Sequence, residues 1–211
     1  PQSNCCFRSV HFWRAVCCEC LASFLYVLLV CLSEEVVAAD HSLAASSRCA
    51  SHAPPLQLPH SRQLHLGLVS GLAVAAITSV FLPVSGAHLS PASCLASSLL
   101  HRLSPLRAAA MTVAQCGGAV VAAALTFGLS GGTREHFPAV RVEDTAVEFL
   151  LSFLAILVQL QNSQSPAQAG LTSGLAYAAG LSVHRGALNP ARALAPALLT
   201  NRWQKPGTSR P

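Results

Sequence analysis

The box Gly86-Ala87-His88-Leu89-Ser90-Pro91-Ala92 returns, one residue shorter, as Gly186-Ala187-Leu188-Asn189-Pro190-Ala191, and this repeat constrains the fold more than any other feature. In both copies a polar residue precedes Pro-Ala and a short apolar run follows. Proline is accepted at the first helical position, where its missing N–H would have had no partner. Serine or asparagine just before it is a favoured N-cap. The pattern therefore predicts two short helices, near residues 90–100 and 189–200. A helix that starts at membrane depth aims its free N–H groups and positive dipole end into a cavity. Two such starts facing each other would make a site at the membrane midplane.

The flanking segments supply the membrane. The chain is 52% hydrophobic and only 10% charged, against about 25% charged in soluble domains. Ala15–Leu32 carries Glu19 as its only charge, Leu64–Val84 carries none, and Leu106–Leu129 carries Arg107 near its start. Each is long enough, at about 1.5 Å per residue, to approach or exceed the ~30 Å of a hydrocarbon core. Thr145–Leu160 and Ala169–Val183 are shorter candidates. The order reads as three spans with a half-helix after the second, then two spans with another half-helix. Glu19 opens the first span of one half and Glu148 the first span of the other. A carboxylate in lipid is costly unless it faces the bundle and finds donors.

In FWRAVCCECLASFLYVLLVC, VSGAHLSPA, SPLRAAAMTVAQCGG and LNPARALAPALLTNRW, the chain resembles the aquaporin, or major intrinsic protein, family from Phe12 to about Trp203. The resemblance implies an all-α membrane protein: an inverted-repeat helix bundle with two re-entrant half-helices and a pore in each subunit of a homotetramer. Residues 1–14 are then a cytoplasmic N-terminus, 15–203 the membrane domain and 204–211 an unstructured tail. In the family a sixth helix follows the second half-helix. Gln204–Pro211 cannot span a bilayer and the chain opens on Pro1, so we read it as partial, truncated after the second half-helix.

The resemblance also assigns roles. Ser90, Pro91 and Ala92 with Asn189, Pro190 and Ala191 form the pore centre; Ser90 stands where the family has asparagine and offers one proton rather than two. Arg192 lines the outer constriction, where a fixed positive charge repels cations and protons. Ser70 and Gly186 fit two further constriction positions, and Leu181, with Gly180 as the alternative, fits the fourth. Glu19 and Glu148 become supports that accept hydrogen bonds near the half-helices. Small groups at Ser70 and Gly186 imply a wide constriction of low specificity for water.

Other features are read as structure or topology. Cys17, Cys18, Cys20, Cys31, Cys94 and Cys116 fall in or beside apolar spans and behave as small hydrophobes, with no metal site and no cofactor implied. Cys5 and Cys6 suit palmitoylation. Ser33–Gln63, with Pro54, Pro55, Pro59 and several histidines, reads as an exposed loop. Phe12 and Trp13 are expected to anchor the first span at the interface, and Gln115 and His88 to hydrogen-bond structurally. Arg8, Arg14, Arg102 and Arg107 fit a cytoplasmic side, so the net charge of +5 reads as topology rather than nucleic-acid binding. The expected activity is passive transport of water or another small solute in the plasma membrane, without enzymatic chemistry. The alternatives are a non-conducting scaffold or cell-interaction protein, and a cation-permeable channel.

Overall fold

The computed structural model describes residues 9–47, 59–131, 145–161, 165–184 and 186–201, and its elements there are all helices. They are α1 (Val10–Ser47), α2 (Pro59–Ser85), α3 (Pro91–Leu99), α4 (Pro105–Leu129), α5 (Thr145–Leu160), α6 (Pro166–Val183) and α7 (Pro190–Thr200). Five of the seven open on proline, whose fixed φ suits the first helical position. Ser165 completes a capping box with Gln168 ahead of Pro166, so α6 starts before the apolar run from Ala169. The short α3 and α7 each follow a longer helix, α2 and α6, through one of the two boxes. The order α1–α2–α3 is thus repeated as α5–α6–α7, with α4 between.

The helices approach where side chains are smallest. A Cβ placed on Gly71 of α2 would lie 2.6 Å from the Gly174 carbonyl oxygen of α6, and one on Gly174 would lie 2.5 Å from the Gly71 oxygen. A Cβ on Gly118 of α4 would come within 2.2 Å of the Cys20 carbonyl of α1. Packing of this kind holds helices together in lipid, where hydrophobicity offers little drive between them. The main core, including Tyr26, Val27, Val74, Ala122, Leu181 and Leu188, lies where these helices meet the box loops. A second cluster around Phe12, Cys94 and Met111 lies under α3. By contrast, only Ala155 of α5 is buried, and Phe149, Leu150 and Phe153 face outward.

Several expectations change. Ser33–Gln63 is not one loop: α1 continues to Ser47 and α2 begins at Pro59. No Pro or Gly interrupts Ser33–Ser47, and its alanines favour helix. Among the described residues, three helices, Val10–Val37 of α1, Ser61–Ser85 of α2 and α4, are long and apolar enough by length and composition to cross a membrane. α5 is only 16 residues long, and the small and polar residues of α6 serve its contact with α2. Phe12 is not an interfacial anchor; it is buried against α3 and α4, while Trp13 is half exposed. Cys31 and Cys94 are buried, but Cys17 is exposed and does not act as a core hydrophobe. Cys5, Cys6, Arg8, Trp203 and the tail lie outside the described residues.

Adjacent glycines of α4 make the packing testable. Nothing lies within 4 Å of a Cβ at Gly117, unlike Gly118. Gly118→Val should lower the unfolding temperature of the detergent-solubilised protein through overpacking of about 1–3 kcal/mol or more. Gly117→Ala should leave it unchanged or raise it, since alanine is the better helix former by up to ~1 kcal/mol. Equal effects would disprove the close α1–α4 contact.

Candidate pore site

Each box is held by one carboxylate from the first helix of its half. Glu19 of α1 is fully buried. Its Oε1 accepts from the backbone N–H of His88 (2.9 Å) and from the Ser85 hydroxyl (2.7 Å), and its Oε2 from the N–H of Leu89 (2.9 Å) and Gln115 Nε2 (2.8 Å). Glu148 of α5 does the same for the second box: its Oε1 accepts from the N–H groups of Ala187 (2.9 Å) and Leu188 (2.6 Å). His88 and Ala187 are equivalent in the repeat, as are Leu89 and Leu188. His184 Nε2 stands 3.0 Å from Glu148 Oε2 but off the line of a hydrogen bond. A Cβ on Gly186 would overlap Glu148 Oε2, so only glycine admits the carboxylate there.

These carboxylates hold the backbone in an unfavourable shape. Leu89 has φ +59° and Leu188 φ +53°, and Ala87 also lies in the left-handed region at +46°. That region costs a non-glycine residue roughly 1–2 kcal/mol. It persists when surrounding contacts over-determine it, as the carboxylates do here. The left-handed residue turns the chain so that the next one, Ser90 or Asn189, becomes an extended N-cap. The Ser90 hydroxyl accepts from the N–H of Ala92 (3.3 Å), and Asn189 Oδ1 from that of Ala191 (2.9 Å). Pro91 and Pro190 then begin α3 and α7.

The two helix starts meet. Asn189 Nδ2 donates to the carbonyl oxygen of Leu89 at 2.7 Å, 100 residues away in sequence, and Ser90 and Asn189 are both 1% exposed. The contact is one-sided: among the described residues, no bond runs from the Ser90 side chain to the Leu188 carbonyl. Asn189 keeps one amide proton for another acceptor, and the Ser90 hydroxyl keeps its single proton.

Beyond Asn189, Arg192 is 6% exposed and anchored three ways. One terminal nitrogen donates to the carbonyls of Gly186 and Ala187, each at 3.2 Å, and the other to Glu34 Oε1 at 3.1 Å. Ser70 of α2 is fully buried, and its hydroxyl and that of Tyr26 make no hydrogen bond to the protein. Tyr26 stands beside both Ser70 and Arg192 and meets Tyr177 edge to face at 5.9 Å. Leu181 is fully buried in the main core. Gly180 lies against Leu188, with a Cβ there 2.7 Å from Leu188 Cδ1.

Four groups of the site carry little signal in the sequence. Glu34 falls in the stretch expected to be a loop, although an acidic pair directly after an apolar span is a usable signal. Tyr26 looked like one aromatic among many apolar neighbours. Ser85 gave no warning that its hydroxyl would reach Glu19. Gln159 of α5 donates to the Ala87 carbonyl at 2.8 Å and accepts from the Ser93 hydroxyl at 2.6 Å; a glutamine in the last turn of an apolar helix was its only mark. Gln115 joins Glu19 to the α1–α4 contact, its backbone carbonyl accepting from the Ser23 hydroxyl at 2.9 Å. The His88 ring nitrogen Nδ1 lies 3.4 Å from the Ser97 hydroxyl.

Known proteins resemble the chain in sequence and fold. The family model described as "Major intrinsic protein" matches residues 6–206. The chain is 35% identical over 209 residues to the neurogenic protein big brain of Drosophila melanogaster, covering 93% of this chain and 28% of that one. It is 33% identical to the lens fiber major intrinsic protein of Gallus gallus, covering 93% of this chain and 76% of that one. To aquaporin-5 of Sus scrofa it is 29% identical, covering 92% and 73%. In fold it is similar to the X-ray structure of the aquaglyceroporin from Plasmodium falciparum, with a TM-score of 0.68 at 20% identity over 90% of this chain and 81% of that one. The chain spans just over a quarter of the Drosophila relative's length. With an aquaporin-like all-helical fold and three helices of membrane-crossing length, the chain is a membrane protein of the major intrinsic protein family.

Proposed function

We propose that the chain forms a passive pore for water or another small uncharged solute, acting as a homotetramer in the plasma membrane. The observation that carries this reading is the buried meeting of two helix N-termini at Asn189 and Leu89. Both half-helices point their positive ends at one spot, where one amide proton of Asn189 and the proton of Ser90 are left to donate. A solute oxygen passing that spot exchanges hydrogen bonds with fixed donors rather than with bulk water. A cation there meets two positive dipole ends and is disfavoured.

In this reading the solute first passes Arg192, whose guanidinium stands beside Tyr26, itself next to Ser70. It then reaches the Asn189–Ser90 pair in single file. Pro91, Ala92, Pro190 and Ala191 build the helix starts and do not touch the solute by side-chain chemistry. Gly186 contributes its carbonyl to Arg192, and Leu181 acts as a packed wall. Glu19 and Glu148 support the box backbone. No bond is made or broken, and no cofactor takes part.

Reconstituted into phosphatidylcholine vesicles, the protein should raise osmotic water or urea permeability above that of empty vesicles. Arg192→Ala should change the ratio of water to urea permeability. Permeability equal to empty vesicles, with helical circular dichroism intact, would favour a non-conducting scaffold instead. Glu19→Leu leaves at least three buried donors unpaired, each costing about 1–3 kcal/mol. It should abolish solute flux and lower the unfolding temperature together, whereas flux at the wild-type rate would remove Glu19 from the support of the first box.

A further inference from the structure

The repeat that aligns Ser90 with Asn189 also aligns Ala87 and His88 with Gly186 and Ala187, and Ser93 with Arg192. In the second half, Arg192 donates to the carbonyls of Gly186 and Ala187, each at 3.2 Å. In the first half the equivalent carbonyls are covered as well, but from another helix. Gln159 of α5 donates from Nε2 to the Ala87 carbonyl at 2.8 Å and to that of His88 at 3.2 Å. The Ser93 hydroxyl donates to Gln159 Oε1 at 2.6 Å. A serine holding a glutamine thus takes, in the first half, the place that one arginine takes in the second. Counted from Glu19 and Glu148, the counterpart of Gln159 in α1 is Val30, a fully buried core residue, so the glutamine belongs to the first box alone.

The position suits a role in the pore. The N-termini of α3 and α7 face each other, so Ser93 and Arg192, each in the first turn of its helix, lie on opposite sides of the Asn189–Leu89 contact. Gln159 follows Ala155, the one buried residue of α5, by a helical turn and shares its face. Ala87 is fully buried and Ser93 is 2% exposed, so the amide closes over the first carbonyl. Both amide protons of Gln159 are taken, and Oε1 keeps one lone pair. The group carries no charge, and it covers two acceptors that a passing hydroxyl could otherwise use.

Resting on the pore reading above, we infer that Gln159 is a specificity-determining residue: seated by Ser93, it forms a second, uncharged constriction across the midplane from Arg192 and holds back polyols. Passage through such a pore is set by its width and by the donors and acceptors that line it. Glycerol is broader than water and has three hydroxyl protons to place rather than two. The Gln159 side chain takes away both room and acceptors on that side. Ser93 acts through Gln159 and is a positioning residue.

The test compares the full chain, Ser93→Ala, Gln159→Ala and the double variant in phosphatidylcholine vesicles, reading water permeability from osmotic shrinkage and glycerol permeability from reswelling. The wild type should pass water and little glycerol. Gln159→Ala should raise the ratio of glycerol to water permeability at least about fivefold, equivalent to ~1 kcal/mol of barrier. Ser93→Ala should raise the ratio by less, and should add nothing once Gln159 is alanine. A mere structural tie between α5 and α3 would lower the unfolding temperature of Gln159→Ala and leave the ratio unchanged, which overturns the assignment. An equal and additive effect of Ser93→Ala in both backgrounds overturns the positioning role. If Gln159→Ala does not fold, Ser93→Ala and Gln159→Asn decide, since asparagine is one methylene shorter and withdraws the amide from the carbonyls. A raised ratio in both supports Gln159, and a wild-type ratio in either overturns it. A wild type that passes glycerol as readily as water overturns this inference alone, whereas silence of the wild type and every variant toward both solutes overturns the pore reading as well.

Discussion

Everything in this site depends on two carboxylates, one fully buried and one partly buried, accepting hydrogen bonds from loop backbone. Membrane interiors tolerate irregular backbone only where protein satisfies its polar groups, and the two boxes are irregular by necessity, since each must turn the chain from a long helix into a short one. Glu19 satisfies two backbone N–H groups of the first box and Glu148 two of the second. The leucine before each cap is left-handed, a shape it would not hold unaided. Without that turn, Ser90 and Asn189 would not cap helices that start in the protein interior. The carboxylates in turn avoid an unpaired charge in lipid.

This arrangement works because the surrounding helices lie close. Gly71 and Gly174 let α2 and α6 touch backbone to backbone, and Gly118 does so for α4 and α1. Close contact brings Gln115 of α4 to Glu19, and it brings α1 far enough along the bundle for Glu34 to reach Arg192. The site is thus assembled from segments 39 to 158 residues apart. Its asymmetry is also physical. Asn189 reaches across to Leu89, whereas Ser90, shorter by an amide, serves only its own helix.

The sequence was most legible where chemistry and spacing coincide. The polar-Pro-Ala boxes gave the starts of α3 and α7 to the residue, because an N-cap followed by proline has few other uses. Apolar runs located every long helix, but their ends were misplaced where the signal was not apolarity. α6 begins at Pro166 through a capping box, and α1 continues through alanine-rich residues beyond Glu34. Spacing offered Leu181 as a constriction residue, and in the structure it is fully buried in the core cluster that also holds the two tyrosines.

By itself, the sequence determined that this chain is a helical membrane protein with two half-helices, because lipid leaves apolar segments no other way to satisfy their backbone and proline marks where new helices begin. Only the tertiary structure decided which polar groups share the interior. Periodicity and local motifs say which face of a helix is buried, but not what lies opposite it. Glu34 meeting Arg192, Asn189 meeting Leu89 and Ser90 failing to reciprocate are outcomes of long-range packing, set by where glycines let the helices touch.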